Sequence, residues 1–315
     1  MQNWRSIYLI VSMLTTTLVA QRTHWGAEIS YFFDNTEFEK SSFVVDQTMT
    51  GIHLVPTLGI NMDSTQRLIT GANVLILAGA AKPFEAIFPL AYYSLNKTNQ
   101  QLLIGSFPRA ISLAHYSNFL FADSIRYFRP TVHGVFWNIG NKKNYVNLWL
   151  DWTGKQTSVN RETFFVGISS HVQFKNNFFV DFQSYLYHFA NTHPPLPGSY
   201  LYDNAQMILK AGYQNNLFNN KAQFMLSGGL FLGYERERGG ANKANLPIGI
   251  VSGLKIDTRH LGLESNLYSG DARFLYYSTQ GNRLYWGNAF LRDKLYIENK
   301  LYLRLLNNRD RKSVV

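Results

Sequence analysis

His115-Tyr116-Ser117-Asn118 puts an imidazole, a hydroxyl and an amide within four residues. These are the groups of a nucleophilic acyl-transfer site, where a base takes the serine proton and nearby donors hold the oxyanion. That chemistry requires serine and histidine side chains in hydrogen-bond contact, which closeness in sequence does not supply. The tetrad lies in a stretch without periodicity, so polar residues of a loop are the better reading. His171, behind Ser169 and Ser170, reads as a polar residue on the inner face of a strand. The eight histidines and scattered carboxylates form no HExxH pattern and no EF-hand loop, so neither a metal nor a cofactor is expected. Gly229-Leu230-Phe231-Leu232-Gly233 belongs to an alternating strand and not to a phosphate cradle. The expectation is that the protein is not an enzyme.

A second set of residues is charged. Arg109, Asp123, Arg126 and Arg129 fall within segment 108–129, and Asp151 and Arg161 follow. A long loop without regular structure inside a compact domain is usually functional or disordered. This one mixes Phe119, Leu120 and Phe121 with the arginines. Two readings stay open: a loop folded into a barrel lumen, making a constriction that favours anions, or a loop packed on the rim. Asp151 is the candidate centre of a lumen charge network, with Arg126, Arg129 and Arg161 as candidate partners.

The elements that must position these residues are β-strands. Between Asn144 and Phe189, Val146, Leu148, Leu150 and Trp152 alternate with Tyr145, Asn147, Trp149 and Asp151. Phe164, Val166, Ile168 and Val172 alternate with Thr163, Gly167, Ser169 and His171, and then Phe178, Val180 and Phe182 with Phe179, Asp181 and Gln183. A period of two gives each strand one apolar face and one mostly polar face. The three residues Lys175-Asn176-Asn177 suit a hairpin loop. Fourteen such strands are expected, at 25–33, 50–60, 67–78, 85–95, 101–107, 130–138, 144–152, 163–174, 178–189, 205–213, 221–234, 247–257, 261–268 and 294–305. The connections between them alternate long and short along the whole chain, the rhythm of a transmembrane barrel with tight periplasmic turns and free extracellular loops. Segment 269–293, with Arg273-Phe274-Leu275-Tyr276-Tyr277, is one place where a further strand pair could hide.

Composition agrees. The 315 residues are 15% aromatic, with 23 Phe and 19 Tyr, yet mean hydropathy is only −0.16. Fine alternation of apolar and polar residues produces that combination, as in barrels with aromatic girdles. The chain has no cysteine, so disulfides and thiolate metal sites are excluded. The net charge of +10 comes from scattered bases without a dense cluster, which argues against nucleic acid and for anionic lipopolysaccharide or anionic solutes. Residues 1–20 read as a signal peptide, with Arg5, an apolar run from Ser6 to Leu18, and Ala20 before a cut at Gln21.

Gly105-Ser106-Phe107-Pro108-Arg109, Phe121 to Pro130, and Leu150-Asp151-Trp152-Thr153 followed by Arg161 carry a resemblance. In this order they resemble uncharacterised porin-like outer-membrane proteins of Bacteroidetes-type Gram-negative bacteria, most clearly over 105–190. The resemblance implies an outer-membrane barrel and no particular substrate or catalytic residue. At the other end, Asp310 to Val315 is the hexapeptide that one frame of a widely used sequencing adapter encodes, so 309–315 is expected to be a non-native tail and the barrel cut short.

The reading is therefore all-β: a single antiparallel transmembrane barrel of about 14 strands (12–16) over 21–308, in the bacterial outer membrane. The expected function is a passive porin-like channel or a structural protein. A barrel-embedded lipid hydrolase and a secreted carbohydrate-binding β-protein are the alternatives. Expected partners are outer-membrane lipid and lipopolysaccharide, the barrel-assembly machinery and, for a channel, small solutes.

Overall fold

The structure is a computed structural model and describes residues 22–37, 46–82, 84–196, 198–218, 221–240 and 244–304. The expected signal peptide at 1–20 and the expected non-native tail at 309–315 lie outside the described residues. Fifteen strands follow in order: β1 Arg22–Thr36, β2 Gln47–Asn61, β3 Gln66–Leu77, β4 Ala86–Lys97 and β5 Gln100–Pro108. Then come β6 Thr131–Gly140, β7 Asn144–Gly154, β8 Thr163–Gln173, β9 Phe178–Phe189 and β10 Leu201–Leu217. The last are β11 Ala222–Arg238, β12 Ala244–Asn245, β13 Ile248–Thr258, β14 Leu261–Gly270 and β15 Leu295–Leu303. Each pairs antiparallel with the next in one sheet, except that two-residue β12 adds to β11 and β13 continues the path. All fourteen expected strands are present, and β12 is the addition.

The period of two sets the faces. On β7 the apolar series Val146, Leu148 and Trp152 is exposed, while Asn147, Trp149 and Asp151 are buried on the inner face. β1 likewise turns Trp25, Ile29, Tyr31 and Phe33 outward and Phe32 inward. This band of exposed Leu, Ile, Val, Phe and Trp would be unfavourable in water, and it meets hydrocarbon in a bilayer. Among the described residues no helix is long and apolar enough to cross a membrane. The wall is close-packed at Gly105 on β5, where φ is +123° and an added Cβ would lie 2.3 Å from the Ala91 carbonyl oxygen, so only glycine fits.

Two of the long connections do not stay on the rim. The first, 109–130, contains α1 (Ala110–Leu113) and α2 (Ser124–Phe128). The second, 271–294, contains α3 (Tyr277–Gln280) and two 3-10 turns, and not the strand pair considered from its sequence. Their apolar residues supply ten of the twenty-four buried residues of one aromatic-rich core. Leu113, Phe119, Leu120, Phe121, Phe274, Tyr285, Trp286 and Leu291 pack with wall residues Phe136, Trp149, Phe165, Tyr187, Phe231 and Tyr268. These side chains have no helical or strand period because they face the wall from inside on several sides at once. Burial at ~25 cal/mol per Å2 of apolar surface rewards that placement over an exposed rim.

The same inserted segment reaches both ends of the sheet. In α2, Tyr127 stacks on Phe32 of β1 with ring centroids 4.2 Å apart. One turn earlier, Asp123 pairs with Lys300 of β15 at 2.7 Å. First and last strands therefore stand on either side of one helical turn, and the sheet curls around the plug as a barrel.

Candidate active site

Each inserted segment is held at its start by an inward carboxylate. Asp151 on β7 accepts from the Arg109 guanidinium through Oδ2 and from the His133 backbone N–H at 2.9 Å through Oδ1. Arg109 also donates to the carbonyls of Arg129 and Thr131, so all three of its nitrogens are used, and both partners are almost fully buried. Glu235 on β11 does the corresponding work for the second segment, accepting from the Phe274 and Leu275 backbone N–H groups at 2.8 Å each. The segments then lock together. Ala122 N–H donates to the Trp286 carbonyl at 2.8 Å, and the Trp286 ring carries the Arg129 and Arg109 guanidinium groups at 4.3 and 5.1 Å. Such contacts contribute ~0.5–2 kcal/mol each.

Those distances place the charged residues singled out from sequence. The Asp151 partner is Arg109, and not Arg126, Arg129 or Arg161, because Arg109 follows β5 directly and enters the interior level with Asp151. Arg129 covers Trp286, Asp123 bridges to β15, and Arg126 borders a small cavity beside His53 and Asn73. Arg161 lies apart, donating to the carbonyls of Ala190 and Tyr200 and to Asn191 Oδ1, over the Phe189 ring. The tetrad 115–118 does not assemble into a triad. His115 packs between the rings of Phe136 and Tyr145, at 6.0 and 4.7 Å. Its burial lowers the imidazole pKa, while the Ser117 hydroxyl has no hydrogen-bond partner among the described residues.

The arrangement best suited to acid–base chemistry lies on the outer wall, and neither residue type nor local spacing pointed to it. Trp152, Phe164, His188 and Asp203 are successive cross-strand neighbours on β7, β8, β9 and β10. The Trp152 and Phe164 rings stack at 5.1 Å, and Phe164 meets the His188 ring at 4.9 Å. His188 Nδ1 lies 3.2 Å from Asp203 Oδ1, and Arg238 Nε donates to Asp203 Oδ2 at 2.6 Å. Asp203 is buried beneath these partners, whereas Arg238 is half exposed and its terminal nitrogens have no partner among the described residues. In the tautomer that donates Nδ1–H to the carboxylate, the ring is fixed and the Nε2 lone pair is left for an outside proton.

The position is as informative as the geometry. His188 is one residue from the end of β9, Asp203 two residues into β10, and Arg238 the last of β11. All three ends meet long connections, the extracellular side of a barrel. Below them on the same face, Leu186, Val166, Leu209 and Leu232 are exposed toward lipid. His188 thus stands on the lipid-facing wall, close to the long-loop end of the barrel. The one signal in the sequence was that His188 falls on the outward phase of its strand, where a polar residue needs a partner or an interface.

A family profile described as lipid A 3'-O-deacylase-type matches residues 20–313. Among solved structures, the chain is similar to OmpT of Vibrio cholerae (TM-score 0.45, 7% identity, covering 90% of this chain and 100% of that one). It is also similar to a BenF-like porin from Pseudomonas fluorescens Pf-5 (0.42, 10%, 82% and 70%) and to an anion-selective porin from Comamonas acidovorans (0.40, 11%, 89% and 98%). No curated protein matches the chain. The expected porin-like resemblance holds at the level of an outer-membrane barrel. The expectation that the protein is not an enzyme is overturned by the family, whose description is an enzyme activity. That expectation rested on motifs contiguous in sequence, and pairs made across strands escape such a search. The chain is a barrel of the bacterial outer membrane and belongs to the lipid A 3'-O-deacylase-type family.

Proposed function

We propose that the protein hydrolyses an acyl ester of a lipid A-type glycolipid in the outer leaflet, with His188 as general base oriented by Asp203. The observation that carries this reading is the His188–Asp203–Arg238 array on the lipid-facing wall at the long-loop end. His188 Nε2 takes a proton from water as its oxygen adds to the ester carbonyl. The tetrahedral oxyanion then collapses, the bond from carbonyl carbon to sugar oxygen breaks, and the imidazolium returns its proton to that oxygen. The products are a fatty acid and a free hydroxyl. Arg238 supplies positive charge for the oxyanion or for an anionic group of the sugar. The stacked Trp152 and Phe164 rings offer a flat apolar surface for the acyl chain beside the base.

A passive channel has less support, because the plug packs aromatic side chains against the wall across the interior. Arg109, one of the proposed anion-selective charges, already spends its nitrogens on protein acceptors. The test is release of fatty acid from purified lipopolysaccharide by the refolded full chain, followed by mass spectrometry. General acid–base groups contribute ~10²–10⁴-fold, so His188→Ala should lose about 100-fold or more, with Ser117→Ala near wild type. Undiminished release by His188→Ala would sink the assignment.

A further inference from the structure

Beneath the plug, on the side of the short turns, the barrel interior holds a cavity of about 310 Å3. It shares no residue with the outer-wall array. Its roof is Ala114 to Ser117, and that roof is fixed. Tyr116 OH donates to the Ser184 carbonyl at 2.8 Å and accepts from Trp149 Nε1 at 2.9 Å, while Ser117 N–H donates to Gln183 Oε1 at 2.8 Å. The cavity therefore opens toward the short-turn, periplasmic end, and its walls are set before anything enters. A site ordered in advance avoids part of the entropic cost of binding.

Four full charges face this space in two cross-strand pairs. Asp181 on β9 is in register with Lys210 on β10, and Lys255 on β13 with Glu264 on β14. β11 runs between the pairs and presents the small residue Ser227 there, with Gly253 beside it. Lys255 lies two strands across and four residues along from Lys210, so with strands ~4.8 Å apart and ~3.3 Å per residue their backbones are about 16 Å apart, within the combined reach of two lysine side chains. His171 Nδ1 engages Asp181 Oδ1 at 2.6 Å, which turns the second oxygen of Asp181 to other donors. Asp181 and Glu264 both act on Lys210 electrostatically, but neither lysine ammonium has a hydrogen-bond partner among the described residues. Removing charges from water without such partners is costly, so the groups are arranged for an occupant carrying both signs.

We infer that this cavity binds a small zwitterion from the periplasmic side, a free amino acid or dipeptide, with its carboxylate on Lys210 and Lys255 and its ammonium on Asp181 and Glu264. Two balanced pairs disfavour a simple anion or cation, since an anion on the lysines would also face both carboxylates and a cation on the carboxylates both lysines. Volume fits a molecule of this size and excludes a lipid.

The test is calorimetric titration of the refolded full chain with glycylglycine, and with acetate and methylammonium as half-probes. Saturable binding of glycylglycine at millimolar concentration or below is expected, at least tenfold tighter than either half-probe. Lys210→Met and Asp181→Asn should each weaken it tenfold or more. Lys255→Met, on a different strand, gives the same reading should Lys210→Met fail to fold. Absence of glycylglycine binding to the wild-type chain, or acetate binding as tight as glycylglycine, would overturn the proposal.

Discussion

Two His–Asp pairs share strand β9 and face opposite worlds. Asp181 points inward and meets His171 of β8 at 2.6 Å, under the plug and toward the short turns. His188 points outward and meets Asp203 of β10 at 3.2 Å, at the long-loop end against lipid. The β9 members are seven residues apart, an odd number, so a strand must place them on opposite faces, and ~23 Å of extended chain separates them. One chemical pair thus serves two purposes according to its neighbours. Beside Lys210 and a closed roof it helps hold a polar cavity. Beside Arg238, two aromatic rings and an apolar wall, it is the base of the proposed ester hydrolysis.

The separation depends on the plug, and the plug depends on the Arg109–Asp151 pair. Breaking a buried, hydrogen-bonded ion pair by removing one partner costs ~3–5 kcal/mol. Arg109→Ala should therefore loosen segment 109–130, seen as rapid proteolysis of that segment and new conductance in planar bilayers. Ester hydrolysis at the outer wall should survive. If hydrolysis falls in step with plug loosening, the two regions are coupled and the comparison fails.

Exchanging carboxylates for amides sharpens the contrast. Asp203→Asn keeps the shape but weakens the hold on Nδ1–H, and should lower kcat ~10-fold or more with KM little changed. Asp181→Asn should leave hydrolysis within about threefold of wild type, because its pair lies beyond the reach of outer-leaflet lipid. The reverse pattern would assign the chemistry to the interior.

The smallest expected effect concerns His115 in the roof. It shares its surroundings with Tyr145, Asp181 and Lys210, and burial holds its pKa below the ordinary histidine value. The unfolded chain takes up the proton first. Stability is thus fully present above pH ~6.5 and is lost as pH falls through the lower folded value. Denaturant midpoints should decline in that window, and His115→Phe should flatten the decline. A midpoint unchanged between pH 7 and 5 in the wild-type chain would contradict this.

Much of the wall was legible because it is governed by short-range rules. Val146 through Trp152 declare both strand and faces by alternation alone, and expected boundaries such as 178–189 coincide with β9. Loop rhythm distinguished the two ends of the barrel for the same reason, since a tight turn needs few residues. The plug was not legible. Phe119, Leu120, Phe121 and Trp286 have no common period, and whether a long connection lies on a rim or turns inward depends on what the opposite wall offers. Segment 269–293 shows the cost: its Phe274 to Tyr277 run suggested strands, yet it forms helical turns whose backbone N–H groups are met by Glu235 and Tyr285.

The catalytic candidate illustrates the same limit. By itself the sequence determined fold class, strand phase, the outward direction of His188 and the inward direction of Asp151 and Asp181, because each follows from a period of two along one strand. Only the tertiary structure decided partners. Arg109 is 42 residues from Asp151, and His188 is 15 from Asp203. Which of several carboxylates meets which base is settled by cross-strand register, and by segments that fold inward because burying their aromatic residues is worth more than leaving them in water.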